Sequence, residues 1–504
     1  MASNFFIGID AGTTSIKAVL MGDDGEIVAM AMEEYALEMQ QDRCEIEANL
    51  YLEKAISVIR QLTKSNRELA KNIRALSFSS QGETLICVDH EGSPLRKAIV
   101  WLDNRSLSEA VAIEAKFGAE EICRRTGQPQ VQPLWPATRI SWLRTHEPLL
   151  FQSVHKFLLV EDYLIFKFTG KFVGEQTLAS STLYYDIRQK QWWPEMLTYL
   201  QISEERLPDI YPSGTVAGIV LQPVAQETGL PSTTSIVTGA YDHVAGALGA
   251  GNFQGGAVSE TTGTSMAMVV TLDKPIPNYV INLPMQCHAI PGKYLLLPYG
   301  QTAGFVLKWF KDQFCQQEVD EKKDDAEIYD RLIEQAEHIP PGCDGLIMLP
   351  HLMGSGSPEF NSHARGVIAG ITAATTKGHF IRAILEAIAC MMKRNLDLLK
   401  ASGIHVKEIK ALGGGSKSKL WNQIKADVSN IPITTVQGQE TAAIGAAILA
   451  ATGSGFFCSI EAACNKMVNL SQTFIPDPKR HKVYEGVYAR YVNLTHNLEK
   501  YWEA

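Results

Sequence analysis

Near the start of the chain, an acid, a glycine and two threonines lie between two apolar segments. Asp10 ends the first segment, and Gly12, Thr13 and Thr14 precede the second, which predicts two strands joined by a tight turn. Because Gly12 has no side chain, backbone N–H groups can approach an anion such as a phosphate, and the two threonine hydroxyls add donors. Asp10 would repel that anion unless a divalent cation lay between them, so we expect Asp10 to serve Mg²⁺ through water. An ordinary turn without a ligand is the alternative.

A second acid, Asp242, follows a short apolar strand and the small residues 239–240, and it precedes the small-residue segment 244–250. A carboxylate at the end of a strand can project into a binding site and accept a proton from a substrate hydroxyl. We therefore predict that Asp242 is a catalytic base. The alternative is a helix N-cap, where aspartate is common.

A glycine-rich loop occupies residues 413–418, with the sequence Gly-Gly-Gly-Ser-Lys-Ser. Its glycine spacing does not fit GxxxxGK[ST], so it is not a P-loop. A loop of this kind beside a helix N-terminus can admit a flat or phosphorylated ligand. A plain turn between a strand and a helix is the alternative.

Polar side chains interrupt the chain at two further places. Gln81 and Glu83 lie between two predicted strands, and Trp101, Asp103 and Arg105 alternate along the sequence. Alternation predicts that these last three side chains share one face of an extended segment. Carboxylates, an amide and a guanidinium can bind sugar hydroxyls, and an indole can stack on a sugar. The alternative is a surface ion pair beside a half-buried tryptophan.

The strand–turn–strand pattern occurs a second time in the middle of the chain. Residues 257–262 and the mainly apolar residues 266–272 are predicted as strands, and Gly263 and Thr264 lie in the turn between them. The repetition indicates a degenerate internal duplication. We place the boundary near Gly251.

That boundary predicts two domains, residues 1–251 and residues 252–504. Two similar domains are expected to leave a cleft between them, where ligands usually bind.

The composition excludes several classes of protein. With 504 residues and a net charge of −9, the chain lacks the basic excess that nucleic-acid binding needs. Its nine cysteines include no CxxC pair, which indicates reduced thiols. The first residues have no signal-peptide pattern, and no apolar stretch is long enough to cross a bilayer. We therefore expect a cytoplasmic protein with neither a nucleic-acid nor a membrane partner.

Together these motifs resemble the FGGY family of carbohydrate kinases, which belongs to the actin-like and hexokinase-like ATPase superfamily. The resemblance covers essentially the whole chain. The most specific match is to the family's C-terminal signature, at residues 366–371 and 379–386. The other matching segments are the first phosphate motif at 9–17, the catalytic-aspartate segment at 239–249, the adenosine-side loop at 413–428 and a connecting helix at 440–451.

The resemblance implies an α/β protein with two ribonuclease H-like domains of the actin and hexokinase type, and ATP in the cleft between them. It implies that Asp242 is the base and that Asp10 serves Mg²⁺. It places the nucleotide beside Gly12, Thr13, Thr14, Ser15, Lys17, Gly263, Thr264, Gly304, Gly414 and Ser418. It places the substrate beside Gln81, Glu83, Asp103, Arg105 and His243.

Three departures from the family pattern concern the substrate. Arg139 stands where the family normally has lysine, and His243 stands where asparagine or glutamine is common. Residues 81–83 read Gln-Gly-Glu, where xylulose kinases usually have Gln-Met-His and glycerol kinases have Gln-Arg-Glu. The departures bear on which compound is phosphorylated.

The expected reaction transfers the γ-phosphoryl group of ATP to a hydroxyl of a small sugar or polyol. A ketopentose such as xylulose is the first expectation, and glycerol, another polyol or gluconate are alternatives. Actin-like ATPases also include chaperones and filament formers, so an ATP-driven conformational machine without a sugar substrate is the alternative from another class. Intact Asp10 and Asp242 argue against an inactive regulator. Relatives suggest a homodimer.

Overall fold

The computed structural model describes residues 3–316, 325–438 and 440–503, which divide into two compact units. The first unit takes its described residues from Met1–Gly255, Thr271–Leu296 and Glu440–Asn469. The second takes them from Gly256–Val270, Leu297–Gln439 and Leu470–Ala504. Each unit contains one mixed β-sheet with helices packed against it.

The sheet of the first unit has six strands, in the order β5-β6-β4-β1-β2-β3. The parallel pairs are β1 with β4 and β4 with β6, and the other neighbours are antiparallel. The strands are β1 (Phe5–Ala11), β2 (Ser15–Gly22), β3 (Ile27–Glu34), β4 (Ile73–Ser80), β5 (Val216–Ile219) and β6 (Ser235–Tyr241).

The three parallel strands end at the same level. Ala11 pairs with Ser80, and Ser80 pairs with Tyr241. The residues that follow each strand therefore leave the sheet at one edge. In open α/β sheets, the carboxyl ends of parallel strands are where ligands bind.

Strand β6 contains a bulge just before this edge. Its register with β4 shifts between Val237 and Ala240. Gly239 lies in the bulge, where an added Cβ would be 1.6 Å from the Phe78 carbonyl oxygen. The close approach of two backbones explains the glycine, and the bulge adjusts the position of the residues that follow it.

Four helices of the first unit carry residues that are described below as part of the candidate site or its support. They are α1 (Ala48–Ser65), α2 (Val160–Thr169), α3 (Gln176–Ala179) and α4 (Asp242–Gly249). The apolar residues of α1 recur at helical spacing, so one stripe of the helix is buried against the sheet. Helix Thr441–Gly453 is rich in alanine and glycine and packs closely on β1, β4 and α4.

The second unit repeats the arrangement around the first hairpin. Its sheet contains β7 (Val258–Thr262), β8 (Met266–Leu272), β9 (Ile409–Leu412), β10 (Ile433–Val436) and β11 (Leu470–Phe474), in the order β8-β7-β9-β10-β11. As with β1, β2 and β4, strand β7 is antiparallel to β8 and parallel to β9. The same pairing of a hairpin with a parallel neighbour therefore occurs in both sheets, and an internal duplication stays a prediction.

The remaining elements are short strands and further helices. The strands are Glu38–Gln40, Arg43–Ile46, Ile86–Val88, Ala98–Ile99, Lys156–Leu158, Val173–Glu175, Tyr185–Asp186, Gln191–Trp192, Asp209–Tyr211, Met285–Cys287, Tyr294–Leu296, Tyr299–Gly300, Ile347–Leu349 and Val367–Ala369. The helices are Arg67–Ala70, Leu107–Phe117, Ala119–Thr126, Pro136–His146, Pro148–Ser153, Pro194–Leu200, Gln222–Thr228, Gly304–Phe314, Asp325–Glu337, Lys377–Ala401, Lys419–Ser429, Ile460–Met467 and Pro478–Glu503. Three 3₁₀ turns are Glu204–Arg206, Cys343–Gly345 and Gly414–Lys417.

Among the described residues, no helix has the length and apolar character needed to span a membrane.

The segment around Trp101 differs from the sequence expectation. Residues 101–105 form turns and irregular backbone instead of an extended segment, so the alternation does not put Trp101, Asp103 and Arg105 on one face. Trp101 donates through Nε1 to Thr13, whereas Asp103 and Arg105 bind each other. Spacing of two residues indicates a shared face only where the backbone is extended.

Candidate active site

Three acidic side chains lie near one another at the carboxyl edge of the first sheet. Asp10 is on β1, Glu83 follows β4, and Asp242 is the first residue of α4 after β6. Burial, followed by the charge of Asp242, raises the pKa of Asp10 to about 7 and that of Glu83 to about 8. Burial also raises the pKa of Asp242. This edge of the sheet therefore favours cations and proton donors.

The turn between β1 and β2 presents backbone donors. The Gly12 N–H donates to the Ser15 carbonyl within the turn. Within the described chain, neither the Thr13 nor the Thr14 N–H donates to a protein acceptor. Two adjacent free N–H groups in a turn are suited to bind an anion. Lys17 pairs with Glu440 at 2.8 Å.

Two side chains hold the backbone that leads to Asp242. The Gly239 N–H in the bulge donates to Glu161 Oε1 on α2 at 2.7 Å. The Tyr241 N–H donates to Thr177 Oγ1 on α3 at 2.8 Å, and this hydroxyl donates to Glu175 at 2.6 Å. These bonds provide acceptors for two buried backbone N–H groups close to the bulge, where the hydrogen bonding between β4 and β6 is interrupted. Glu161, Thr177 and Glu175 thus fix the approach to Asp242.

The sequence reasoning did not identify these three residues. All are fully buried, and Glu161 stands with Asp162 between the apolar residues 157–160 and 163–166, at the start of α2. Burial and then the neighbouring Glu175 charge raise the pKa of Glu161. A buried acid without a cationic partner is rare in proteins. Once the helix has been predicted, an acid on its buried face therefore indicates a residue with a special role.

The Gln81–Glu83 segment makes a sharp turn after β4. Glu83 has a left-handed backbone with φ of 59°, which is uncommon for a residue other than glycine. Arg139, which is fully buried, donates to the Glu83 carbonyl at 2.5 Å and to the Asp103 carbonyl at 3.3 Å. Arg139 therefore joins the two segments that were predicted to contact the substrate. Its charge also lowers the pKa of Glu83, although burial outweighs it.

Asp103 and Arg105 are engaged with each other. Arg105 donates to both Asp103 oxygens, at 2.8 and 2.7 Å, and to Glu45 at 2.6 Å. Asp103 also accepts from the Cys44 N–H. Within the described chain, the Arg105 Nη1 is buried and has no acceptor. His243 lies edge-on to the Tyr241 ring, with the ring centroids 5.2 Å apart.

In the second unit, the turn between β7 and β8 joins the start of a helix. The Gly304 N–H donates to the Gly263 carbonyl at 2.8 Å, and the Ala303 N–H donates to the Thr264 carbonyl at 2.9 Å. Gly263, Thr264 and Gly304, which were predicted to line the nucleotide, are therefore neighbours.

The glycine-rich loop of the second unit reaches the end of β7. A Cβ on Gly415 would lie 2.7 Å from that of Thr262. Ser418 caps helix Lys419–Ser429 by accepting from the Trp421 N–H. Gly414 lies in the 3₁₀ turn between strand and helix. The strand–loop–helix order predicted from the sequence is confirmed.

The acids of the first unit fit a hydrated magnesium ion. Among the described residues, no cluster of three or more histidine, cysteine or acidic side chains is placed to hold a metal on its own. Mg²⁺ needs no such cluster, since it retains several waters and binds through one or two carboxylates and substrate phosphates. Asp10, whose pKa burial and Asp242 raise to about 7, is a site where a cation would relieve unfavourable charge.

Comparison with known protein families matches nearly the whole chain. Residues 5–249 match the N-terminal domain of the FGGY family of carbohydrate kinases, and residues 258–454 match its C-terminal domain. The chain belongs to this family, and it is therefore a carbohydrate kinase with the two-domain fold of the actin and hexokinase type. ATP is the phosphoryl donor that membership of a kinase family implies.

Individual relatives span the full length. The chain is 29% identical to xylulose kinase of Bacillus subtilis (strain 168) over 498 residues, which cover 98% of this chain and 97% of the relative. It is 28% identical to gluconokinase of the same strain over 502 residues, covering 99% and 96%. The structure of ligand-bound xylulose kinase from Lactobacillus acidophilus superposes with a TM-score of 0.88 at 26% identity, covering 98% of both chains.

Proposed function

We propose that this kinase phosphorylates a hydroxyl of a small, uncharged sugar or polyol, with a ketopentose such as xylulose first and glycerol or another polyol next. The observation that carries the proposal is the group of acids Asp10, Glu83 and Asp242 at one edge of the first sheet. Similarity to a relative named xylulose kinase supports the same choice.

The charges of the first unit favour an uncharged substrate over an aldonate such as gluconate. Two cations near the acids already have protein partners: Arg139 donates to the Glu83 and Asp103 carbonyls, and Lys17 pairs with Glu440. A substrate carboxylate would add a negative charge beside three acids whose pKa values are already raised, which costs free energy. Hydroxyls can donate to ionised acids and accept from protonated ones. Gluconate remains the alternative because one relative is named gluconokinase.

In the proposed mechanism, Asp242 orients the acceptor hydroxyl and takes its proton. Because the transition state of phosphoryl transfer is loose, positioning and charge neutralisation provide most of the acceleration. Burial raises the pKa of Asp242, which makes it a stronger base than an exposed carboxylate. Mg²⁺, held through water by Asp10, would neutralise charge on the phosphates.

The nucleotide contacts complete the proposal. The Thr13 and Thr14 N–H groups donate to phosphate oxygens, with Gly12, Ser15 and Lys17 alongside. We assign the remaining nucleotide contacts to Gly263, Thr264, Gly304, Gly414 and Ser418. Gln81, Glu83, Asp103, Arg105 and His243 are assigned to the substrate side. The division into domains 1–251 and 252–504, the cytoplasmic location and the homodimer stay predictions.

The test is ADP release from the purified chain with MgATP across pentuloses, hexuloses, polyols and aldonates. We expect strong stimulation by one uncharged compound, and we expect Asp242→Ala to lose about a thousandfold or more in kcat while it still binds nucleotide. Asp330→Ala, at an exposed acid on helix Asp325–Glu337, is the matched control. Stimulation by gluconate alone would select the alternative substrate. ATP turnover indifferent to every compound would instead support a conformational machine.

A further inference from the structure

The hydroxyl of Thr13 has two protein partners. It accepts from Trp101 Nε1 at 2.9 Å and donates to Gln81 Oε1 at 3.2 Å. The other end of the Gln81 amide donates to the Tyr51 hydroxyl at 2.7 Å. Gln81 and Tyr51 are buried. Both ends of the amide are therefore bound inside the protein, on the side of the phosphate turn.

The backbone of the same turn is held by neighbouring residues. The Gln81 N–H donates to the Ala11 carbonyl at 3.0 Å, and the Tyr35 N–H donates to the Thr14 carbonyl at 3.0 Å. The Tyr35 hydroxyl also donates to the Gly12 carbonyl. The turn that presents the free Thr13 and Thr14 N–H groups is thus fixed from several sides.

The partners of Thr13 belong to the substrate side of the site. Gln81 is two residues from Glu83, and the Trp101 N–H donates to Thr84 Oγ1 at 3.3 Å. A compound that contacts Glu83 or the Trp101 indole would restrain the groups that orient Thr13. The hydrogen-bonded chain Trp101–Thr13–Gln81–Tyr51 thus connects the substrate side with the phosphate side within one unit.

We propose that Gln81 and Trp101 are positioning residues for the phosphate turn, acting through Thr13, and that they couple ATP turnover to the presence of the acceptor. This inference rests on the proposed kinase function. It gives Gln81 a role different from direct substrate binding. Without this chain of bonds, the turn N–H groups are held less firmly, so nucleotide binding weakens and water competes better as phosphoryl acceptor.

The test separates nucleotide effects from substrate effects. Trp101→Phe removes the indole N–H and keeps an aromatic ring, and Thr13→Val removes the hydroxyl at nearly constant volume. We expect each to raise KM for ATP by about fivefold or more, and to raise the sugar-independent share of ADP release, with KM for the best acceptor within about twofold. Thr13→Ser keeps the hydroxyl and should recover most of the ATP affinity that Thr13→Val loses. Trp192→Phe, at a half-buried tryptophan outside the site, is the matched control.

A double-mutant cycle tests whether the two residues act together. If Trp101 acts through Thr13, the Trp101→Phe and Thr13→Val effects on KM for ATP will be less than additive. Additive effects, or a rise in KM for the acceptor alone, would overturn the proposal.

Binding of a non-hydrolysable ATP analogue, measured without acceptor, keeps the inference separate from the proposed function. If no compound stimulates the wild-type chain, the proposed function fails, while weaker analogue binding by both variants would still support the positioning role. Unchanged analogue binding in both variants would refute that role.

Discussion

The ring of Tyr241 occupies the space that a side chain at position 82 would need. A Cβ on Gly82 would lie 2.7 Å from the Tyr241 ring and 3.0 Å from Ser181 Oγ. Since Tyr241 precedes Asp242 directly, the size of residue 82 and the position of the proposed base are linked. The glycine in Gln-Gly-Glu is therefore explained by packing against a fixed aromatic ring.

Gly82→Met should displace Tyr241 and with it Asp242. We expect kcat to fall by about tenfold to a hundredfold, because small displacements of catalytic groups are costly. Steady-state kinetics with the best acceptor measures the effect. Gly486→Ala, at a helical glycine with open space around it, is the control and should have no effect on kcat. Unchanged kcat in Gly82→Met would show that Tyr241 can move without moving Asp242.

Thr177→Val should impair the positioning of Asp242. The valine cannot accept the Tyr241 N–H, so a buried donor loses its partner and the bulge of β6 relaxes. We expect kcat to fall by about tenfold or more, with KM for ATP little changed. Thr177→Ser keeps the hydroxyl and should restore most of the activity. Loss of activity in Thr177→Ser together with wild-type activity in Thr177→Val would mean that the methyl group, and not the hydrogen bond, is what matters.

Arg139→Met should lower both stability and substrate affinity. It leaves the Glu83 and Asp103 carbonyls without their buried donor, at a cost of about 1–3 kcal/mol for each unsatisfied group. Urea unfolding measures the first effect and KM for the acceptor the second. Arg139→Lys retains the charge but has one nitrogen for two carbonyls, so we expect an intermediate result. Wild-type stability in Arg139→Met would contradict the structural role.

The buried Glu83 should make stability fall as pH rises. Its pKa is about 8 in the folded chain and near 4.5 when exposed, so between these values the folded state binds the proton that the unfolded state has lost. Folding is then favoured at low pH, and this contribution is lost as pH rises towards 8.

Glu83→Gln is neutral at every pH and removes this effect. Urea unfolding of the chain without nucleotide or Mg²⁺, from pH 5 to pH 9, should therefore show wild type losing stability relative to Glu83→Gln as pH rises. Parallel curves for the two chains would mean that Glu83 is ionised in the folded state at neutral pH. Asp10, whose pKa is about 7, would act in the same direction and is present in both chains.

Local sequence patterns predicted the elements that carry the site. The strands on either side of Gly12 and of Gly263, and the helices after Asp242 and Ser418, are confirmed because apolar periodicity and turn glycines act over a few residues. Strand order and the parallel register that brings Asp10, Gln81 and Asp242 to one edge depend on distant pairings.

The sequence patterns did not predict the contacts that polar groups make with residues far away in the chain. Nothing near Glu161 in the chain indicates that its carboxylate accepts from Gly239, which is 78 residues away. Alternation around Trp101 gave the wrong geometry because the backbone turns there. The sequence also did not indicate that the Thr13 hydroxyl binds Gln81 and Trp101, and the contact of Thr13 with phosphate stays a prediction. Such partnerships follow from the fold and cannot be read from spacing.

The repeated hairpin gives the two sheets different surroundings at the same position. In one copy, the strand beside the hairpin runs through Ser80 into Gln81, whose amide binds two neighbours. In the other, the corresponding strand runs through Leu412 into Gly413, Gly414 and Gly415, which have no side chains to offer. The same pairing of strands thus carries two opposite kinds of loop. One copy leaves its sheet through a crowded, polar segment, and the other leaves its sheet through a segment without side chains.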